Sequence, residues 1–127
     1  AATGIAALVA VARAMAGSKS MGDFYKDVAA ASLLVLLPLA TIAALFLANG
    51  GVPMTLSGAV EATTLEGATQ TIARGPVAAF VAIKQLGTNG GGFFGPNSSH
   101  PLENPTFWTN VISNICILII PMASVWM

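Results

Sequence analysis

Charge is what this sequence has least of. Five Lys/Arg and five Asp/Glu among 127 residues make 8% charged, with no net charge at neutral pH. Soluble domains carry roughly 25% charged residues, and a neutral chain with so few would stay in solution poorly. The missing basic excess also removes the electrostatic footprint of a nucleic-acid-binding domain, so no nucleic-acid partner is expected. Cysteine is nearly absent. Cys116 alone, set in an apolar run, excludes a disulfide framework and a multi-cysteine metal site. No nucleophile–base arrangement is visible, so no catalytic residue is assigned. What the chain has instead is 55% hydrophobic residues and a mean hydropathy of +0.79. That combination excludes disorder and points to an all-α membrane protein.

The chain opens without Met in an apolar stretch, residues 1–12, and reaches Met127 inside another apolar run. No basic region precedes Ile5, as a signal peptide would require. The expectation is an internal piece of a longer protein. Residues 28–48 (VAAASLLVLLPLATIAALFLA) carry no charge. As a helix they reach about 31 Å, matching a hydrocarbon core of about 30 Å. Pro38 falls mid-run, which a membrane helix accepts when neighbouring groups satisfy the freed carbonyl. Residues 105–127 form a second uncharged run. Asn104 is the expected N-cap and Pro105 the first helical residue, with Trp108 as an interfacial anchor. Residues 1–16 read as the end of a third span. Lys and Arg bias short loops toward the cytoplasm. Arg13, Lys19 and Lys26 therefore place 17–27 inside, whereas 49–75, with Glu61, Glu66 and only Arg74, lies outside.

Residues 76–86 (PVAAFVAIKQL) are apolar but only half long enough to cross. Gly75-Pro76 reads as a helix start and Gly87 as its stop. The resulting helix of about 16 Å either lies on the surface or dips in and returns as a re-entrant loop. Upstream, Thr63-x-x-Glu66 has the capping-box pattern; it opens a short external helix over 64–73 or marks a solvated turn.

Residues 87–92 (GTNGGG) follow the short helix. They are no P-loop, since no Lys-Ser/Thr follows the glycines, and no dinucleotide fingerprint, since a helix precedes them and irregular sequence follows. A plain surface turn remains a reading. At membrane depth, irregular backbone needs protein or a water-filled cavity to satisfy it. Glycine adopts left- and right-handed angles alike, so successive carbonyls can turn toward one axis and replace an ion's hydration shell. The preceding helix adds the negative end of its dipole. With no carboxylate in the loop, a monovalent cation fits better than Ca²⁺ or Mg²⁺.

QLGTNGGGFFGPNSSHPLENPT (residues 85–106) closely resembles the second pore-loop region of the potassium-binding A subunits of Kdp-type potassium-transporting ATPases, within the superfamily of potassium transporters. The upstream order is similar too: an outgoing span, an external stretch, a GPVA-type helix start, then the loop. The resemblance implies a channel-like chain of four membrane–pore–membrane repeats. This piece would contribute the end of one repeat and most of the next. It further implies that Thr88 and Asn89 supply backbone oxygens to a dehydrated K⁺, that Gly90 sits beside them where side chains disturb selectivity, and that Gly91 and Gly92 continue the loop. K⁺ is then the transported ion, with no organic cofactor. Asp-Lys-Thr-Gly, the P-type signature, is absent here, so ATP hydrolysis would belong to a partner catalytic subunit, with smaller accessory subunits completing a complex in the bacterial inner membrane. Gly95-Pro96 and Leu102 depart from the Asn-Ala and Phe expected of the family, which bears on the loop's exit path.

The resulting layout is the end of a span (1–16), a cytoplasmic loop (17–27), a span (28–48), an external segment (49–75), a re-entrant pore helix (76–86), a filter loop (87–92), an exit loop (93–104) and a final span (105–127). Lys84 would tune ion access, or else snorkel or neutralise the helix end. His100 and Glu103 read as loop hydrogen-bonding groups, Cys116 as a small hydrophobe, and Ser113 and Asn114 as polar contacts between helices. Two rivals stand beside this layout. One is a secondary transporter with a broken-helix binding loop; the other is a non-transporting membrane scaffold whose glycines cap a surface helix.

Overall fold

The computed structural model describes residues 1–126. The final residue of the expected last span, Met127, lies outside the described residues. Helix α1 (Ala2–Met15) is built mainly from alanine and branched aliphatic residues. It ends where Gly17 turns left-handed, at φ +76°, so that Ser18 N–H reaches back to the Arg13 carbonyl at 3.0 Å. The chain then doubles back. Arg13 clasps both oxygens of the Asp27 carboxylate, with Nη2 to Oδ1 at 3.0 Å.

Asp23 opens the next helix, accepting from Tyr25 N–H at 3.0 Å and Lys26 N–H at 3.2 Å. That helix is continuous over Phe24–Asn49, 26 residues, starting four residues earlier than the uncharged run because a capped charged turn extends it. It comprises α2 (Phe24–Ala30), a widened π segment (Ala31–Leu36) and α3 (Leu37–Asn49). The wide turn has an identifiable cause. A proline ring clashes with the carbonyl four residues back. Just before Pro38, Leu37 N–H bonds to Ser32 C=O, five residues back, opening the space. Ser32 and Thr41 hydroxyls donate to Val28 and Leu37 carbonyls at 2.8 and 2.9 Å, keeping both polar groups on the helix itself.

Residues 64–73 form no helix. Strands β1 (Val60–Thr63) and β2 (Thr69–Ile72) pair antiparallel, Val60 opposite Ile72 and Thr63 opposite Thr69. Gly67, at φ +82°, closes the hairpin, with Gly67 N–H on Thr64 C=O at 2.9 Å and Thr64 N–H on Ala68 C=O at 2.8 Å. Cross-strand pairing of β-branched Thr63, Thr69, Thr71 and Ile72 outweighs one capping-box pair.

Helix α4 (Val77–Gly87) is the most enclosed element, with Val77, Ala78, Val81, Ala82 and Leu86 all buried. Its first-turn Ala78 N–H is satisfied by the Pro53 carbonyl at 3.0 Å. Helix α5 (Phe107–Ser124) starts later than its sequence signals indicate. Pro105 keeps Asn104 out of helical angles, and Thr106 is still extended at φ −133°, ψ 162°. Thr106 is therefore the cap, in a reciprocal box. Its hydroxyl accepts from Thr109 N–H at 3.2 Å, and Thr109 Oγ1 accepts from Thr106 N–H at 3.0 Å. Asn104 braces the box from outside, accepting from the Thr109 hydroxyl at 2.9 Å.

The core lies where α3, α4 and α5 meet. It is made of small side chains (Ala40, Ala43, Ala78, Ala82, Cys116) around Leu47, Val52, Val77, Val81 and Leu86. A Cβ on Gly50 would lie 2.5 Å from Thr109 Cγ2, which is how closely the end of α3 and the start of α5 approach. Large apolar side chains such as Leu33, Leu34, Leu45, Ile115 and Leu118 face outward. Small residues at helix contacts with large apolar ones outside is the distribution expected in lipid or against further helices. The continuous Phe24–Asn49 helix and α5 run antiparallel. Phe46 and Asn49 share a cleft with Trp108 and Ile112 at one end, and Ala30 and Leu34 share one with Ile120 and Ser124 at the other.

Candidate functional site

Helix α4 has a periodic buried face, and the loop that leaves it is pinned at both ends. The expected stop at Gly87 falls one residue early: Gly87 is the last helical residue, and Thr88 takes the left-handed position, at φ 53°, ψ 30°. A β-branched residue there is strained. It is held by Thr88 N–H on Gln85 C=O at 3.3 Å and by its hydroxyl on Gly87 C=O at 2.8 Å. Gly90 turns left-handed again, at φ +74°. Between them the backbone reverses out of the helix without regular hydrogen bonding.

Thr88, Asn89, Gly90 and Gly91 are all exposed. A Cβ on Gly91 would meet nothing within 4 Å, and one on Gly90 only Asn97 Oδ1 at 3.8 Å. Gly92 is the opposite: its Cβ would sit 1.6 Å from the Gly95 carbonyl oxygen and 3.2 Å from Glu103 Oε1. Only glycine fits there. On the other flank, Ala1 N lies 3.1 Å from the Gly87 carbonyl, and a cleft of about 340 Å³ runs among Gly4, Leu8, Thr88, Ile120 and Pro121. Helix α1 thus begins level with the end of α4.

Behind the loop lies a buried polar cluster. Lys84 (6% exposed) donates through Nζ to Ser98 Oγ and stands 3.6 Å from Oε1 of Glu103 (0% exposed). Gln85 Nε2 donates to the same Ser98 oxygen at 3.1 Å. Glu103 Oε1 also accepts from Phe93 N–H at 2.8 Å, tying the far end of the loop to the cluster. Ser98 reaches this position because Asn97 and Ser98 both adopt positive φ, 54° and 57°. Phe93 packs back over Gly75, where a Cβ would lie 2.7 Å from its ring. His100 is a loop group: its Nδ1 accepts from Leu102 N–H at 3.1 Å, and its ring stacks on Phe94 at 4.6 Å.

The structure thus brings Thr88 to Gly91 together in one exposed turn and sets Lys84 behind it. Lys84 neither snorkels to the surface nor reaches the helix-end carbonyls; it points into protein. Sequence reasoning missed its pairing with Glu103 and the part played by Ser98. The signal for Lys84 was there: Val77, Val81 and Lys84 recur at helical spacing on the buried stripe. No local signal announces a partner in a loop nineteen positions on.

Two antiparallel helices of spanning length, with a half-length apolar helix packed between them, define the class: an α-helical membrane protein. Residues 1–127 all match the family of the potassium-transporting ATPase A subunit, KdpA, and the chain belongs to that family. It is 56% identical over 125 residues to a potassium-transporting ATPase potassium-binding subunit from Methylorubrum extorquens, covering 97% of this chain and 22% of that protein. The correspondingly named subunit of Pseudomonas syringae pv. tomato is 49% identical over 128 residues, covering 99% and 23%. That of Synechocystis sp. is 50% identical over 121 residues, covering 95% and 22%. The chain spans less than a quarter of the length of these relatives.

Proposed function

We propose that this chain supplies one of several pore loops through which a multi-subunit, ATP-driven complex takes up K⁺. Helix α4 acts as a re-entrant pore helix, and the carbonyls of Thr88, Asn89, Gly90 and Gly91 replace water around the dehydrated ion. The observation that carries this reading is the junction of α4 and its loop: a half-length helix, packed between two span-length helices, released by left-handed Thr88 and Gly90 into an exposed backbone turn. Peptide oxygens on such a turn bind a monovalent cation through neutral dipoles, and the C-terminal end of α4 adds negative potential at the same depth. One loop encloses no axis, so the open side of residues 88–91 is where the pore loops of the other repeats would stand. The broken-helix alternative needs a second half-helix meeting the loop head-on; here the loop continues into Pro96–Ser98, a single 3₁₀ turn.

In this reading residues 17–27 face the cytoplasm, the β1–β2 hairpin lies outside, and the Phe24–Asn49 helix and α5 cross the inner membrane in opposite directions. ATP is hydrolysed by a partner catalytic subunit, with accessory subunits completing the assembly. The test is Gly90→Asp in the full-length subunit within the assembled complex. The half-saturating K⁺ concentration for ATP hydrolysis should rise about tenfold or more, since a carboxylate beside the carbonyls changes both charge and spacing. Unchanged K⁺ dependence and ion preference would refute it.

A further inference from the structure

The loop's two ends are fastened to one buried cluster, while the residues between them have open space beside them. Lys84 and Gln85, on the last turn of α4, hold Ser98. Glu103 holds Phe93 N–H, the first backbone group after the glycines, and faces Lys84 at 3.6 Å. We propose that Lys84, Ser98 and Glu103 form a bracket that sets the curvature of the loop 88–92, and through it the discrimination among monovalent cations, without any of the three touching the ion. They are positioning residues.

Three observations carry this. The first is geometric: Glu103 Oε1 serves Lys84 and Phe93 N–H together, so any movement of the carboxylate moves the loop's exit relative to the end of α4. Gly92 leaves no slack, its absent Cβ being only 3.2 Å from that same oxygen. The second is chemical. Both members of the Lys84–Glu103 pair are buried, and a buried ion pair that loses one member leaves an uncompensated charge that the surroundings must move to relieve. Glu103 Oε2, with no hydrogen-bond partner among the described residues, has no second anchor to hold it. The third is spatial: a cleft of about 160 Å³ lies between Lys84 and the middle of the loop, lined also by Phe80, Asn89, Gly91 and Gly92. A loosened bracket has somewhere to let the loop go.

This inference rests on the filter reading above, and its test separates the two. Glu103→Gln, Lys84→Met, the double variant Lys84→Met/Glu103→Gln and Ser98→Ala are made in the full-length subunit of the assembled complex, with Gly90→Asp alongside. Half-saturating K⁺ and Rb⁺ concentrations for ATP hydrolysis are measured. Each charge variant should raise half-saturating K⁺ about tenfold and lower the preference for K⁺ over Rb⁺. The double variant, with no charge left unpaired, should recover to within about threefold of the parent. Ser98→Ala, which strands no charge, should show a smaller loss of K⁺ preference. A merely structural rivet would change assembly or melting but not the ratio of the two ions. Assembled variants with the parent's K⁺ dependence and K⁺/Rb⁺ ratio would overturn the proposal, as would a double variant as impaired as the product of the singles. If the charge variants fail to assemble, an unaltered ion ratio in Ser98→Ala overturns it. A shift in Gly90→Asp with none in the others rejects the bracket alone; no shift in Gly90→Asp rejects the filter and the bracket together.

Discussion

Two adjacent glycines, Gly91 and Gly92, should respond to the same substitution in opposite ways. A Cβ on Gly92 would lie 1.6 Å from the Gly95 carbonyl oxygen, whereas one on Gly91 meets nothing within 4 Å. To accept Gly92→Ala, the loop 92–95 must open by about 1.4 Å, enough to restore the shortest tolerable carbon–oxygen approach. Glu103 Oε1 accepts Phe93 N–H at 2.8 Å, so that displacement breaks the bond. Overpacking costs about 1–3 kcal/mol, and losing a hydrogen bond to a charged acceptor costs about 1.5–3 kcal/mol. Gly92→Ala should therefore destabilise the subunit by about 2.5–6 kcal/mol, enough to reduce the amount assembled several-fold. Gly91→Ala should assemble and melt as the parent does. The assay is thermal melting of the detergent-purified complex, followed by size-exclusion of heated samples and read for each variant against the parent. Equal melting of the Gly92→Ala and parent complexes would refute the close approach of residues 92 and 95, and with it the pinned exit of the loop.

The remaining predictions concern the scaffold and one loop residue. Thr106→Ala should cost about 1 kcal/mol by removing the cap of α5, while Asn104→Ala, which only braces the box, should cost less; chemical denaturation of the two variants side by side checks the order. Gly50→Val should disturb the contact of α3 with α5, since its Cβ alone would reach to 2.5 Å of Thr109 Cγ2, and the loss should show as reduced assembly relative to Gly58→Val, where a Cβ meets nothing within 4 Å. His100→Ala should leave the K⁺ preference nearly untouched, because His100 bonds to the loop backbone and stacks on Phe94; a large change in ion preference would show that the ring does more.

The two long apolar runs declared themselves because hydrophobic length has one physical reading at this scale, and Gly75-Pro76 marked the start of α4 within two residues. The cap of α5 did not read correctly. Asn104 and Thr106 are both good capping residues, and the choice was made by Pro105, which disfavours helical angles at its predecessor and leaves Thr106, still extended, as the cap. The hairpin at 60–72 was hidden under a capping-box pattern, since a strand's stability depends on a partner strand that no short window contains. The π segment before Pro38 was anticipated only as a proline needing accommodation; which neighbouring turn would widen is set by packing.

By itself the sequence determined the class of environment, the number and approximate extent of the apolar helices and the glycine turn after the half-length one, because those follow from composition, periodicity and backbone sterics acting over a few residues. Only the tertiary structure decided that Thr88 rather than Gly87 takes the left-handed turn, that Gly92 alone among its neighbours admits no side chain, and that Lys84 and Glu103 meet behind the loop. Each of those depends on groups far apart in the chain arriving at the same point, and a buried charge declares its partner only when the fold has removed the water between them.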